Sequence, residues 1–154
     1  MVVKAKDGVL RIEARIEGPG TLQEAWQLLT DYEHLPEYMP NVDSSRVVSR
    51  TDSSRWVRQV LTSQLVVPWT FIFTLEYVAV APDELRFRHV EGQLKSYEGR
   101  WKLTPRGERT AISYQARVTY RLVPGFLAAY IVRRQLGQMM PALVAEMQRR
   151  TGRQ

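Results

Sequence analysis

Few side chains in this sequence could carry acid–base catalysis, and they lie far apart. The chain has two histidines, His34 and His89, and no cysteine. His89 shares the alternation of Leu85 and Phe87 in one predicted strand, so its imidazole could point inward and transfer protons near neutral pH. A histidine that is simply hydrogen-bonded near a strand end explains the same pattern. Tyr114 is the other weak candidate, and the catalytic residues stay unknown.

Motifs that would fix a reaction class are missing from the sequence. It contains no Ser-His-Asp arrangement, no spacing typical of metal ligands and no glycine-rich loop of the kind that binds phosphate. We therefore expect no metal and no cofactor. Whether the protein is an enzyme is left open at this point.

Large rings with polar tips are common on the predicted inner face of the sheet. A fully packed interior would use mainly branched aliphatic residues. The donors of Tyr97, Trp101 and Tyr114 need partners, which a ligand or a trapped water would provide. The other interpretation is that these rings form an ordinary core. The residues that we predict to bind a ligand are Tyr38, Gln59, Trp69, Phe71, Phe73, Phe87, Tyr97, Trp101, Tyr114, Tyr130 and Arg134.

Two of these predictions concern polar groups that also have a simpler explanation. Gln59 lies within the apolar strand WVRQVLT, where it either orients a ligand oxygen or satisfies a neighbouring backbone group. Arg134 follows Tyr130 and Ile131 closely enough to reach a pocket mouth and pair with an anionic or carbonyl head group. A solvated arginine beside Arg133 is the alternative for that residue.

The composition is that of an ordinary folded domain in a reducing compartment. With 154 residues, of which 44% are hydrophobic and 25% charged, the chain is predicted to form one domain over 1–154. The absence of cysteine excludes disulfides and thiolate metal sites. No signal peptide or membrane-spanning stretch is visible, so a cytoplasmic location is expected.

The net charge of +6 is concentrated near the C-terminus. From Arg121 onward six arginines accompany a single acid, Glu146. This basic segment could contact phosphates of lipid, cofactor or RNA, which would give peripheral membrane or ribosome contact. For Arg149, Arg150 and Arg153 we favour the simpler interpretation of a solvated helix end whose arginines lie near its negative dipole.

The elements that must position these side chains follow from the periodicity of the sequence. Residues 9–17 alternate strictly between apolar and charged side chains, which predicts a strand with one dry face. Thr21 and Glu24 form a capping-box pattern that opens a helix. Six more strands are then predicted, near 43–50, 55–65, 68–79, 84–91, 94–104 and 109–121.

A long helix pattern begins near Pro124, and a bend or break is predicted between Gly137 and Pro141. The sheet needs cover on its apolar face, and only this helix is long enough to provide it. Because a strongly twisted sheet lifts away from a straight helix, the arrangement predicts a cavity between them.

Three stretches carry a resemblance to a known family: AWQLLTDYEHLPEYMPNVDSSRVVSR (25–50), EGQLKSYEGRWKLTP (91–105) and YRLVP (120–124). Together they resemble the START and birch-pollen-allergen superfamily. Within it, the sequence looks like the polyketide cyclase/dehydrase and lipid-transport branch, which includes coenzyme-Q-binding proteins.

The resemblance implies an α+β helix-grip fold. In that fold a seven-stranded antiparallel curved sheet wraps a long C-terminal helix, and two short helices lie between the first and second strands. It also implies a hydrophobic-ligand pocket. The segment 31–40, DYEHLPEYMP, would be the corner that gates the mouth of this pocket, and the alternative is that its tyrosines only plug the end of the sheet.

These observations predict a START-like protein that binds a hydrophobic small molecule between the sheet and the long helix. Lipids, isoprenoid quinones and polyketides are the ligand classes considered. The alternatives are a polyketide cyclase or dehydrase and a ribosome-associating module, since the family also resembles bacterial proteins that block ribosomal subunit association.

Overall fold

The computed structural model describes residues 1–64, 68–80, 82–93, 95–120 and 124–154, and for residues 64, 68 and 69 it describes the backbone only. Arg121 lies outside the described residues. The strands are β1 Val2–Lys6, β2 Val9–Pro19, β3 Val42–Arg50, β4 Ser54–Gln64, β5 Pro68–Val80, β6 Glu84–Gly92, β7 Ser96–Arg106 and β8 Arg109–Thr119. The helices are α1 Leu22–Leu29, α2 Leu35–Tyr38, which follows a 3-10 turn at Tyr32–His34, and α3 Gly125–Thr151.

The strands form one curved, unclosed antiparallel sheet in the order β1-β2-β8-β7-β6-β5-β4-β3. With the long C-terminal helix against it, this is the predicted helix-grip fold. The prediction of seven strands is wrong by one, because β1 was missed. Only Val3 of its five residues is buried, so the segment lacks the repeated alternation by which the other strands are identified.

The capping box predicted at the start of α1 is confirmed. The Thr21 hydroxyl accepts a hydrogen bond from the Glu24 backbone N–H at 3.1 Å, and the Glu24 carboxylate accepts one from the Thr21 N–H at 3.0 Å. Ala25 and Leu28 form the buried face of the helix, which lies against β7 and β8. The chain then passes through the 31–40 corner to the start of β3.

Helix α3 runs without interruption through Gly137 and Pro141, so the break is absent, and the bend that we predicted as the alternative stays a prediction. Proline removes one intrahelical hydrogen bond, which is a local cost. Leu136, Met140 and Leu143 are buried on both sides of it, and this packing holds the helix together against the weak propensity of its middle. Among the described residues, no helix is both long and apolar enough to span a bilayer.

The last turns of α3 pack closely on the sheet. A Cβ placed on Gly18, near the end of β2, would lie 2.6 Å from the Met147 sulfur, so the Met147 side chain lies directly on the Gly18 backbone. Leu103 and Ile112 on the adjoining strands are each 1% exposed. We call this region the packed end.

Candidate ligand-binding cavity

Away from the packed end, a cavity of about 280 Å³ lies between the inner face of the sheet, α2 and the part of α3 from Ile131 to Leu143. Strands β4 to β8 supply most of one wall. The other wall comes from Leu35, Tyr38 and Met39 at the corner, and from apolar side chains of α3. The α3 residues that line it are Ile131, Val132, Gln135, Leu136, Met139 and Leu143.

Small residues in the middle of the sheet make room for the Phe87 ring, which lines the cavity. The register places Phe87 opposite Gly99, and Gly99 opposite Ala116, across three neighbouring strands. A Cβ on Gly99 would lie 2.8 Å from the Phe87 ring and 2.1 Å from the Gln115 carbonyl oxygen. The Phe87 ring therefore lies over Gly99, and a larger residue there would collide with it.

Two tyrosine hydroxyls meet inside the cavity. Tyr97 on β7 and Tyr114 on β8 are hydrogen-bonded to each other through their Oη atoms. Burial raises the pKa of Tyr97 to about 12 and raises the pKa of Tyr114 well above its ordinary value. Both phenols are therefore protonated and neutral at physiological pH.

Aromatic rings surround this hydroxyl pair. The Trp101 ring lies 4.6 Å from Tyr114 between centroids, and Phe87 is stacked on Tyr114 at 6.0 Å. Phe87 also lies 5.0 Å from Tyr97. Tyr77 extends the aromatic wall toward the corner, because its ring is 5.9 Å from Phe87. A planar or unsaturated molecule would meet ring faces and edges on several sides.

The 31–40 corner is tied to α3 by amide groups that the sequence analysis did not single out. The side-chain amide of Asn41 donates to Gln135 Oε1 at 3.0 Å and to Gln138 Oε1 at 2.8 Å. The Gln135 amide in turn donates to the Pro40 carbonyl at 3.4 Å. We call these three side chains the amide clasp. Asn41 has φ +68°, a left-handed conformation that asparagine tolerates better than most residues.

A second set of contacts joins the corner to the end of α3. Arg150 donates to Asp31 at 2.9 Å and to Glu146 at 2.8 Å, and its guanidinium lies 5.9 Å from the Tyr38 ring centroid. Hydrogen bonds from Arg149, above all, hold the pKa of Glu146 at about 2 against the effect of burial. His34 contacts Asp31 at 2.5 Å. Arg149 and Arg150 therefore both form ion pairs. The Arg149 side chain is still 70% exposed, as expected for a solvated helix end, whereas that of Arg150 is 26% exposed.

The structure brings most of the predicted ligand-binding residues together around one cavity. Those that line it are Tyr38, Gln59, Phe71, Phe73, Phe87, Tyr97, Trp101 and Tyr114. The side chain of Trp69 lies outside the described part of the structure. Tyr130 is 51% exposed and Arg134 is exposed, and neither lines the cavity. Each directly precedes a residue that lines the cavity, Ile131 or Gln135. Adjacent residues of a helix point about 100° apart around its axis, so proximity in the sequence did not place Tyr130 and Arg134 on the inward face.

His89, the histidine considered for catalysis, does not line the cavity. It pairs with Leu75 on β5, and its Nε2 atom is buried without a hydrogen-bond partner among the described residues. Within the described residues, no cluster of three or more His, Asp or Glu side chains could hold a metal ion.

Tyr77, Asn41 and Gln135 line the cavity but were absent from the prediction. Tyr77 could have been found, because it shares the inward parity of Phe71 and Phe73 on β5. The asparagine and glutamine carry no comparable signal, since their contact joins residues 94 positions apart.

A second concave region, a groove of about 640 Å³, lies on the outer face of the sheet. Charged side chains supply much of its lining, and some of them form ion pairs. Arg88 contacts Glu76 at 2.7 Å, and Arg86 and Arg100 share Glu84, which lies beside the groove. Such a charged, solvent-exposed surface is typical of the wet face of a sheet. The inner cavity is therefore the candidate site.

The sequence of residues 19–147 matches the family described as polyketide cyclase / dehydrase and lipid transport. The chain belongs to this family. No curated protein is significantly similar to it.

Several solved structures share the fold. A START superfamily protein from Mycobacterium smegmatis superposes with a TM-score of 0.80 at 16% identity, covering 90% of this chain and 97% of that one. The Zhui aromatase/cyclase from a Streptomyces species superposes with a TM-score of 0.82 at 14% identity, covering 93% of this chain and 96% of that one. A STAR-related lipid transfer protein from Xanthomonas axonopodis superposes with a TM-score of 0.79 at 16% identity, covering 96% of this chain and 98% of that one. At these identities the likeness shows the fold alone.

Proposed function

We propose that residues 1–154 act as one START-like domain that binds a hydrophobic small molecule in the inner cavity. A lipid, an isoprenoid quinone or a polyketide would suit it. The observation that carries the proposal is a cavity lined by aromatic and aliphatic side chains and containing a buried pair of hydroxyl groups. Affinity would come from apolar burial, at roughly 25 cal/mol for each Å² removed from water.

The polar side chains of the cavity would set the orientation of the guest. Tyr97, Tyr114 and Gln59 are the candidates, since each lines the cavity and can donate a hydrogen bond. Arg134, which the sequence suggested for this role, is exposed on α3 and is not part of the proposal.

Entry and exit of the guest would require the corner to move. The cavity volume of about 280 Å³ is near the lower limit of small-molecule sites, which span ~300–1,000 Å³. A guest with a long tail therefore needs more room than the closed form offers. The amide clasp is the contact between corner and helix that would open, because its hydrogen bonds join surfaces rather than a packed core.

Native mass spectrometry of the purified protein tests the proposal. We expect a heavier species that carries a bound apolar molecule, released into organic solvent and identified there. Val132→Trp, which would fill the cavity from α3, should abolish the heavier species. The matched control Val48→Trp alters a side chain that is 55% exposed and should keep it. Protein that is free of guest and also fails to bind a neutral apolar dye would contradict the proposal.

A second candidate function is a polyketide cyclase or dehydrase. It is favoured by the protonated Tyr97–Tyr114 pair, which could donate to a developing oxyanion on a folded polyketone. The described lining supplies no obvious base, since its single ionised side chain, Asp31, is paired with Arg150. Turnover of a poly-β-ketone mimic that is lost in Tyr114→Phe would favour this function. Absence of turnover would favour a protein that binds its ligand without catalysing a reaction.

Peripheral contact with membranes or ribosomes is the remaining proposal for the basic segment. The ion pairs of Arg149 and Arg150 count against phosphate binding at the end of α3. The first turns of α3 are better placed, because Phe126 and Tyr130 are 78% and 51% exposed and are four residues apart on the helix. The exposed Arg134 follows four residues after Tyr130. Co-sedimentation with anionic vesicles or with ribosomes would show which of the two partners is bound. Binding that weakens steeply as the salt concentration rises would show that phosphate contacts dominate.

A further inference from the structure

We propose that the part of the ligand inside the cavity is uncharged and carries a carbonyl or hydroxyl oxygen that accepts a hydrogen bond from the Tyr97–Tyr114 pair. This inference rests on the proposed function and specifies the chemical class of its ligand. Neutral ketones, quinones and alcohols belong to the class. Carboxylates and amines that would enter head-first do not.

The first argument is a count of protons in the hydroxyl pair. Each tyrosine hydroxyl has one proton to donate, and the bond between Tyr97 and Tyr114 uses only one of the two. Within the described residues, neither hydroxyl has a further hydrogen-bond partner. One O–H donor is therefore left over inside the cavity. A buried donor without a partner costs about 1–3 kcal/mol, so the site favours a guest, or a water, that brings an acceptor oxygen.

The second argument is the charge of the lining. Among the described lining residues there is no lysine, arginine or histidine, and Asp31 is the single acid. Its carboxylate already accepts hydrogen bonds from His34 and Arg150, which lower its pKa although burial alone would raise it. A guest carboxylate would thus lose its hydration without meeting a free cation, and a guest amine would meet a carboxylate that is already paired. Both situations are strongly unfavourable.

The third argument is that the donor is permanent. Burial raises the pKa of Tyr97 to about 12, and the pKa of Tyr114 is raised further from its ordinary value by the same cause. Across the physiological range neither phenol ionises, so the pair cannot turn into an acceptor-only anion. The pair therefore offers the same single donor at every relevant pH.

The surrounding rings narrow the class further. The oxygen that meets the pair lies between Trp101, 4.6 Å from Tyr114, and Phe87, 5.0 Å from Tyr97. An oxygen attached to a planar ring or a conjugated chain fits there, because the adjoining π system packs on these rings. A saturated tail fits the aliphatic surface that Leu136 and Met139 present from α3.

A matched set of three probes tests the inference. 2-Acetylnaphthalene presents a neutral carbonyl, 2-naphthoate presents a carboxylate on the same ring system, and 2-isopropenylnaphthalene replaces the carbonyl oxygen with a methylene group. Binding to the intact protein is measured by titration calorimetry near pH 7.5. We expect the ketone to bind about threefold to tenfold more tightly than the hydrocarbon, which is the worth of one net hydrogen bond, and the carboxylate to bind at least tenfold more weakly than the ketone.

Variants then assign the effect to the hydroxyl pair. Tyr97→Phe and Tyr114→Phe each remove one hydroxyl but free the proton of the other, so each single variant should keep an advantage of the ketone over the hydrocarbon. The double variant Tyr97→Phe/Tyr114→Phe has no donor left and should abolish that advantage. Tyr130→Phe makes the same chemical change at a residue that is 51% exposed and outside the lining. This control should bind all three probes as the natural sequence does.

The outcomes separate this inference from the function on which it depends. Carboxylate and ketone binding with similar affinity, or a ketone advantage that survives in the double tyrosine variant, would overturn the inference and leave a hydrophobic carrier standing. Failure of all three probes to bind the unaltered protein would overturn the proposed function together with the inference.

Discussion

The two ends of α3 face the same sheet but meet it differently. At the packed end, Met147 approaches Gly18 so closely that a single added carbon would collide with its sulfur, and the neighbouring side chains Leu103 and Ile112 are branched aliphatics. At the cavity, Ile131 and Leu136 face Phe87 across open space, and the sheet carries tyrosines and a tryptophan. One helix thus serves as core at one end and as cavity wall at the other.

This difference shows how a small domain can be stable and hollow at once. Branched aliphatic residues interlock and provide packing free energy, whereas rings with polar tips leave donors that an apolar neighbour cannot satisfy. The packed end therefore carries stability, and the cavity carries recognition. Each of the following predictions tests whether these two roles are separable.

The largest effect is expected for Ile112→Ala at the packed end. Truncating an isoleucine that is 1% exposed should lower the free energy of unfolding by ~2–5 kcal/mol, through lost transfer energy and a new void. Under conditions in which the variant is fully folded, its affinity for a neutral apolar probe should be unchanged, since Ile112 is not part of the lining. Urea unfolding and calorimetry provide the two readouts. A variant that no longer binds the probe but unfolds with an unchanged free energy would show that stability and recognition are not assigned to separate regions as described.

Gly99→Ala should come next, and it should affect both roles. The added carbon would lie 2.1 Å from the Gln115 carbonyl oxygen and 2.8 Å from the Phe87 ring, so strand and ring must shift, at a cost of about 1–3 kcal/mol. The displaced Phe87 ring should also weaken probe binding.

Gly137→Ala is the matched control for Gly99. Its new carbon meets nothing within 4 Å on α3, and alanine is the better helix former by about 1 kcal/mol. Thermal unfolding should therefore shift in opposite directions for the two variants. A shift in the same direction for both would show that the contact of Phe87 with Gly99 does not constrain the sheet.

A smaller effect is expected at the amide clasp. Asn41→Gly keeps a residue suited to φ +68° and removes both hydrogen bonds to α3, worth roughly 0.5–1.5 kcal/mol each. Stopped-flow release of a bound probe should become several-fold faster, with little change in global stability. Asn41→Ala should add backbone strain to the same loss. An unchanged release rate in both variants would mean that the corner does not gate the cavity.

The smallest effect concerns pH at the corner. The hydrogen bond with Asp31 raises the pKa of His34 above its ordinary value. A group whose pKa is raised on folding stabilises the fold below its unfolded pKa, near ~6.5, and that contribution disappears as pH rises through the folded pKa. Proton NMR should therefore show His34 titrating above 6.5, and Asp31→Asn should return it toward that value. Titration of His34 at or below 6.5 would contradict the contact.

The sequence predicted the wall of strands better than the contacts that close the cavity. Alternation along β5 and β7 placed Phe73, Tyr97 and Trp101 on the inner face, because side-chain parity is set by the backbone of a single strand. The same reasoning could not place β1, whose burial depends on its partner β2. It also could not separate Arg134 from Gln135, since the orientation of a helix about its axis is decided by packing.

The amide clasp could not be predicted from the sequence, for a different reason. Asn41 and Gln135 meet only because the chain returns after the whole sheet has been formed. Similarly, Arg150 pairs with Asp31, 119 positions earlier, as well as with Glu146, so this arginine is not free. Long-range polar contacts of this kind have no local sequence pattern. The 31–40 segment could therefore be suggested as a gate, but the α3 residues that it contacts could not be predicted.

Methyl-resolved NMR titration with 2-acetylnaphthalene tests the central claim most directly. The account predicts saturable shifts at the methyl groups of Ile131, Leu136 and Met139, and no shift at Leu103 or Ile112. Shifts of equal size at both ends of α3, or shifts confined to Ile72 and Val78 on the outer face of the sheet, would contradict it, because the guest would then not occupy a cavity set apart from the packed end.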